Sequence, residues 1–573
     1  MDHIKRLYRF SEGYRKNMLL VPVWVFVQVG MEVWIPYLMG DMVDKGIYGA
    51  NTEVIKNRGL LMLLAAVIMM TAGVMISRHL SKWASGVGRN LRDNLFISAQ
   101  RLSFADSDQF GVSSIITRMS TDVSYVKNAL MMFNTFIRCP LMVIMTITVT
   151  ATVYQGFAKI FIISAIALFV ASMTIARFAL RHYRKMFVNY DKMNDMLEEN
   201  ITAQKTVKAF ARSDYETSRF SRIIGVLRQE TRMAETLSVM NEPVLGLVMD
   251  ITLLAVILIS GRQIIGGVMQ AGDFFCLVSY TDQILFRISL IAGATVPLMN
   301  AQVSLDRIVE VMDTEPAIKS GQRPSAPPAD GSVSFRDVCM SYFEGKNVLN
   351  NIDIEIKPGE FVGIIGSSGS GKTSMINLIP RFYDCNAGTV SVGGEDVKDY
   401  DLDDLRGAIG LVPQASLLFT GTIADNLRWG NEDATVEEIV DACVAAGAND
   451  FIMGFPDGYD TRVSQGGSTV SGGQKQRLCI ARALISKPGI LILDDSLSAV
   501  DNTTEGHIIE TLRKMKGTTT IILVSQRFTS VKDADRIIVL DEGRIDAAGT
   551  HKELLASSKV YNEIYDTQRR TMA

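Results

Sequence analysis

Residues 361–373 read FVGIIGSSGSGKT, an apolar run that passes without a break into Gly366-Ser367-Ser368-Gly369-Ser370-Gly371-Lys372-Thr373. The second part fits G-x-x-x-x-G-K-[ST], and the first supplies the strand that this pattern needs in front of it. Glycine lets the backbone curl until several N–H groups face one point, where they cradle phosphate oxygens. Lys372 then reaches the β- and γ-phosphates and the Thr373 hydroxyl is set to ligate Mg2+, while Ser374 opens a helical run, SMINLIPRF. The spacing predicts a nucleoside triphosphate site with Mg2+ at a strand-to-helix turn.

Further β-rich runs surround this turn: SVSFRDV from 332, AIGLVP from 408, ILILDD from 490, TIILVS from 520 and RIIVLD from 536. Alternating with helical stretches, they predict an α/β domain on a mainly parallel sheet. Just before it, residues 320–331 (SGQRPSAPPADG) concentrate Pro, Gly, Ser and Ala and read as a linker. The α/β domain is therefore expected at 332–573.

Residues 1–319 have another character. The chain is 48% hydrophobic with a mean hydropathy of +0.18, yet 21% of it is charged, so the apolar excess must be segregated. A helix needs about 20 apolar residues to cross a hydrocarbon core of roughly 30 Å. Six segments meet or approach that length: Met18 to Met39, Leu60 to Ile76, Ala129 to Val153, Ile160 to Ala179, Val244 to Val268 and Phe274 to Met299. An all-α transmembrane domain of six helices is expected, making the chain multidomain and multi-pass in the lipid bilayer. The long connections after the second and fourth segments carry Lys82, Arg89, Arg92, Arg101, Arg181, Arg184, Lys185, Lys205 and Lys208, which puts them and the N-terminus in the cytoplasm. They look helical, with turning points expected near Phe104 to Phe110 and Ala211 to Phe220. No cleavable signal is expected, because the first apolar stretch is too long for a signal core.

Lys plus Arg total 58 against 61 for Asp plus Glu, which leaves no basic surplus for a phosphate backbone and argues against a nucleic acid partner. The six cysteines lack zinc or redox spacing. His507 has no ligand-spaced companion and is assigned no role. Asp282 and Arg287 stand five residues apart, about 140° round a helix, so they do not share a face. Glu32, Arg138 and Asp250 also interrupt apolar runs, where charge lines a transport cavity or makes structural pairs. The 29 methionines fit ordinary helix packing better than an adaptable binding surface.

A phosphate loop alone is shared by kinases, GTPases and helicases, so its companions decide. Val470-Ser471-Gly472-Gly473-Gln474-Lys-Gln-Arg477 resembles the signature motif of ABC ATPases, and Ile490-Leu-Ile-Leu-Asp494-Asp495 resembles their Walker B strand. Pro413-Gln414 stands as the Q-loop and Ser498-Ala-Val-Asp501 as the D-loop, while Tyr342 sits where the family stacks a ring on adenine. LEENITAQKTVKAFAR, residues 197–212, looks like a cytoplasmic loop of ABC exporters, so the resemblance covers nearly the whole chain. It implies Thr373, Gln414 and Asp494 around Mg2+, coupling helices at the turning points, and two nucleotide domains paired head to tail. Each signature motif then completes the partner's ATP site, since Ser471 and the glycines lie at a helix N-terminus.

The chain departs from the family pattern twice. Asp495 stands where the family has a water-polarising glutamate, and a carboxylate about 1 Å out of reach costs on the order of 10²-fold in rate. Gln526 stands at the switch histidine, and an amide carries no positive charge. With VSGGQ intact, the combination resembles the degenerate half of bacterial heterodimeric multidrug exporters. The expected partner is a second ABC half-transporter with the regular Glu and His, and the expected substrate a hydrophobic or amphipathic small molecule or lipid. A homodimer with two slow sites and an ATP-sensing regulator or scaffold are the alternatives.

Overall fold

The computed structural model describes residues 2–154, 156–321, 326–342 and 345–572. Part of the expected linker, residues 322–325, and Phe343-Glu344 beside Tyr342 lie outside them, as do eight side chains between 285 and 296 in the sixth expected segment. Internal contacts divide the chain into two bodies, one of residues 1–100 and 111–314 and one of residues 101–110 and 315–573.

The first body is helical. Among the described residues, five helices are long and apolar enough to cross a membrane: Arg15–Tyr48, Thr52–Arg101, Val112–Val153, Phe157–Thr202 and Ser213–Ile265. The sixth expected segment falls on Ala271–Gly293 and the start of Thr295–Asp313. Hydroxyls in these helices satisfy themselves locally, as lipid demands. Thr146, Thr148 and Thr150 each donate to the carbonyl four residues back, and Thr252 Oγ1 donates to Ser164 Oγ at 2.8 Å. The second turning point lies earlier than expected. The chain turns over Ala203–Arg212, around a short helix at Gln204–Ala209, and Ser213 to Phe220 already belong to the long helix Ser213–Ile265. Ala211 takes a left-handed φ of 53° there, and Asp214 and Glu216 follow in the first turn, where carboxylates favour a helix start.

The second body carries two sheets. Six strands run in the order Arg544–Gly549, Arg536–Asp541, Phe361–Gly366, Thr520–Val524, Ile490–Asp494, Ile409–Val412, all parallel except the first pair. The central strands are buried on both faces, as a parallel sheet covered by helices requires. Successive residues enter opposite cores: Leu491, Leu493, Ile521 and Leu523 pack on one side, Ile490, Ile492, Ile522 and Val524 on the other. SVSFRDV does not join this sheet. It forms Val333–Met340, antiparallel to Leu349–Ile356 and Ala387–Val392, in a separate sheet. Its inward residues Val333, Phe335, Val338 and Met340 meet the second core while others face solvent, the half-buried habit of antiparallel strands.

The expected turning point at Phe104 to Phe110 is a helix with those bounds, and it packs with the second body. Asp106 Oδ2 accepts from Ser103 N at 3.0 Å, Ser103 Oγ at 2.6 Å and Ala317 N at 3.1 Å. Phe104 lies 4.6 Å from the Phe382 ring, and the Tyr383 hydroxyl donates to Asp108 Oδ2 at 2.9 Å.

Candidate nucleotide site

The strand Phe361–Gly366 ends in a loop whose shape depends on glycine at two places. Gly369 and Gly371 hold φ of 81° and 98°, values that L side chains rarely adopt. A side chain on Gly371 would also stand 2.8 Å from Leu349 Cδ2. Lys372 lies folded over the loop, with Nζ donating to Ser367 O at 2.7 Å, Gly366 O at 3.0 Å and Ser370 Oγ at 3.3 Å. Burial pushes its ammonium below the ordinary lysine value, opposed by the charges of Asp495 and Asp494.

A cleft of about 190 Å3 opens over the loop, lined by Val348, Ser368, Gly369, Gly371, Lys372, Thr373, Ser374, Gln414, Asp494, Asp495, Val524 and Gln526. Residues far apart in sequence converge here because parallel strands end side by side. The Thr373 hydroxyl donates to Asp494 Oδ2 at 2.9 Å, an all-oxygen pair that fits Mg2+, with Gln414 lining the same cleft. Burial raises the Asp494 carboxyl and neighbouring Asp495 raises it further, while the Thr373 hydroxyl and Lys372 act the other way.

The two departures from the family pattern touch each other. Gln526 Nε2 donates to Asp495 Oδ2 at 3.1 Å. Asp495 is raised by burial, against hydrogen bonding from Gln526 and the charges of Lys372 and Arg527. Its φ is 45°, in the left-handed region, where aspartate is enriched among non-glycine residues.

Tyr342 reaches the loop from outside the cleft, its hydroxyl donating to Ser374 Oγ at 3.0 Å and its ring edge-on to Tyr383 at 5.0 Å. Ser471, Gly472, Gly473 and Gln474 do not line the cleft. They open the helix Gly472–Ile485 with a reciprocal cap, in which Ser471 Oγ accepts from Gln474 N at 3.3 Å and Gln474 Oε1 from Ser471 N at 2.8 Å. Gly473 lies against Ala499 O, 2.6 Å from where a side chain would begin, so the helix packs on the Ser498–Asp501 turn.

Sequence reasoning missed several supporting groups. Gln476 accepts from Ala499 N at 2.9 Å and so holds that turn. Gln568, on the last helix Lys559–Met572, clamps the segment carrying Gln526: its Nε2 donates to Gln526 O at 2.6 Å and its Oε1 accepts from Phe528 N at 3.0 Å. No signal in the sequence ties a glutamine 42 residues away to that loop. His507, assigned no role, bonds Val444 O at 3.0 Å.

Comparison with known proteins agrees with this geometry. Residues 18–288 match the family described as ABC transporter transmembrane region, and residues 349–498 the family described as ABC transporter. The chain is 34% identical over 572 residues to the uncharacterized ABC transporter ATP-binding protein YfiB of Bacillus subtilis, covering 99% of this chain and 98% of the relative. It is 30% identical over 592 residues to the putative multidrug export ATP-binding/permease protein YgaD of the same organism, covering 99% and 100%. A solved bacterial Atm1-family ABC exporter with ATP bound shares the fold with a TM-score of 0.82 at 24% identity, over 97% of this chain and 98% of that one.

Proposed function

This chain belongs to the ABC transporter family, a multi-pass membrane protein with a cytoplasmic ATPase domain, and from that premise we propose that it is one half of a heterodimeric exporter with an impaired ATP site. Residues 1–319 carry the membrane path and residues 332–573 bind ATP, joined by the linker at 320–331. The substrate is a hydrophobic or amphipathic molecule, drug-like or lipid-like, a reading that the multidrug name of the YgaD relative supports.

The observation that carries the reading is the contrast within one cleft. Gly366 to Thr373, Asp494 and Gln414 keep the family's binding residues, yet the positions of the family's water-polarising glutamate and switch histidine hold Asp495 and Gln526, bonded to each other. Lys372 leaves its loop carbonyls to reach the β- and γ-phosphates, and Tyr342 turns its ring to adenine. Mg2+, when bound by Thr373 and Asp494 with Gln414 beside them, neutralises charge on the phosphates. Asp495 orients water too weakly for rapid turnover, so this site holds ATP. Ser471, Gly472, Gly473 and Gln474, capped and intact, complete the partner's site, where a regular Glu and His hydrolyse ATP. ATP binding closes the paired domains, hydrolysis at the partner's site reopens them, and the helix Phe104–Phe110 carries the motion to the membrane.

Purification with and without a co-expressed second half tests this. The chain alone is expected to bind ATP with negligible turnover, and the pair to show ATPase activity that transported amphiphiles stimulate. Robust turnover by the pure homodimer would refute the heterodimer, and substrate-insensitive turnover by the pair would refute export.

A further inference from the structure

Among the described residues of the membrane body, two one-to-one pairs contrast with one carboxylate held by two arginines. Near the cytoplasmic end of the helices, Arg307 pairs with Asp122 at 2.5 Å and Arg118 with Glu310 at 3.0 Å, two cations for two carboxylates. Deeper, Glu32 is shared by two arginines from two other helices: Arg138 Nη2 bonds its Oε2 at 2.7 Å and Arg287 Nη2 its Oε1 at 2.5 Å. Three apolar helices, Arg15–Asp41, Phe133–Val153 and Ala271–Gly293, thus meet at a cluster carrying one uncompensated positive charge.

Each part of that cluster bears on what it binds. Both oxygens of Glu32 are engaged, while a guanidinium offers five N–H donors and Nε of both arginines is buried without a partner. Buried Nε without a partner also occurs at Arg118, so the distinguishing feature of the Glu32 cluster is its net positive charge deep among apolar helices, which is costly in low dielectric and which an anion would offset. The other carboxylates in the apolar runs, Asp250 and Asp282, are exposed and make no ion pair among the described residues; Asp282 lies about 140° round the helix from Arg287. The cluster is also reachable, with side-chain exposures of 14% for Glu32, 19% for Arg138 and 15% for Arg287. Beside Arg287 on the same helix, Phe286 and Leu290 expose apolar surface, with the Arg287 guanidinium 5.7 Å from the centre of the Phe286 ring.

We propose that Glu32, Arg138 and Arg287 form a headgroup subsite for an anion, a phosphate or carboxylate carried on an apolar substrate. The proposal deepens the export reading by naming the substrate class: anionic amphiphiles in preference to zwitterionic or cationic ones. The anion completes a two-to-two arrangement by accepting from the free edges of both guanidinia, in the planar geometry that favours arginine for such groups. Glu32 keeps the two arginines parallel between substrates and limits how tightly the anion is held, so that it can leave.

Native mass spectrometry of the full chain in a non-ionic detergent tests this without ATP or a second half, so it can fail while the ATP-driven reading stands, and the reverse. The probes are lysophosphatidylglycerol, lysophosphatidylcholine and glycerol 3-phosphate, which vary headgroup charge and remove the tail. Lysophosphatidylglycerol is expected to bind at least about tenfold more tightly than lysophosphatidylcholine, as one added charge-assisted hydrogen bond implies. Arg138→Gln and Arg287→Gln are each expected to weaken it by roughly ten- to a hundredfold, and Glu32→Gln to tighten it several-fold. Misfolding weakens binding in every variant, so the opposite sign for Glu32→Gln is decisive. Equal binding of the two lysolipids by the wild-type protein overturns the proposal, as does loss of binding in Glu32→Gln. Glycerol 3-phosphate binding as tightly as the lysolipid identifies a free anion as the source, and weak binding identifies an amphiphile; both support an anion subsite.

Discussion

Replacing Asp495 with Glu tests the reason this ATP site is read as slow. The Asp495 carboxylate accepts from the Gln526 amide at 3.1 Å, and both side chains line the cleft over the phosphate loop. One more methylene advances it by about 1.5 Å, the length of a carbon–carbon bond. Since an offset near 1 Å costs about 10²-fold, the gain in barrier is at most about 2.7 kcal/mol. The left-handed φ of 45° suits aspartate, and the cost of about 1 kcal/mol for a longer side chain there falls on the ground and transition states alike, so it lowers stability and not the rate. The expectation is a chemical step up to about 10²-fold faster with an unchanged ATP affinity, because no phosphate-facing group moves. Asp495→Glu with Gln526→His is expected to exceed the single variant, since the imidazole restores a group that can bear charge. The assay is single-turnover hydrolysis in the purified pair, with the partner's own catalytic glutamate changed to glutamine so that only this site reports. No acceleration in either variant while ATP still binds would refute the reasoning. So would a wild-type chain that already turns over rapidly and stops on Asp495→Asn.

Three further outcomes follow from the same geometry. Tyr342→Phe keeps a ring for adenine but loses the bond to Ser374, so ATP affinity by equilibrium binding should hold or improve slightly, whereas Tyr342→Ala should lose about tenfold for the missing stack. Gln568→Ala removes both clamps on the Gln526 segment, and amide exchange at Phe528 should accelerate about fivefold for a lost hydrogen bond near 1 kcal/mol; Gln568→Glu, which keeps the acceptor, should retain most of that protection. Burial raises the Asp495 carboxyl, and a carboxyl raised by folding favours the folded state while protonated and costs it stability once ionised, so stability falls as pH rises through the raised value. Asp495→Asn should therefore raise the apparent unfolding temperature of the ATP-free protein at neutral pH, with the gain shrinking toward acid pH, measured by thermal scans across pH.

What the sequence reveals about this chain depends on how local the cause is. The phosphate loop was legible because its glycines, Lys372 and Thr373 act within eight consecutive residues, and the backbone they need is dictated by those residues alone. The turn at Phe104–Phe110 fell where expected, its helical form implied by the family resemblance alone, whereas the second turn was misplaced by several residues because Ala211 takes a left-handed φ that alanine does not advertise. SVSFRDV has the composition of either sheet, and only its pairing with Leu349–Ile356, sixteen residues on from Val333, assigns it. The charged residues mark the limit of local reading. Asp282 and Arg287 were separated correctly by helix angle, but Glu32 with Arg138 and Arg287 spans 255 residues, and no period in the sequence reports that three helices bring them together. The same holds for Gln526 and Asp495. On the proposed reading each departure alone removes one catalytic feature, and the hydrogen bond between them ties the pair together: an amide that donates to a shortened carboxylate. Restoring one member without the other therefore leaves the longer carboxylate facing the same amide, which is why the double variant, and not either single one, should measure the full distance between a holding site and a hydrolysing one.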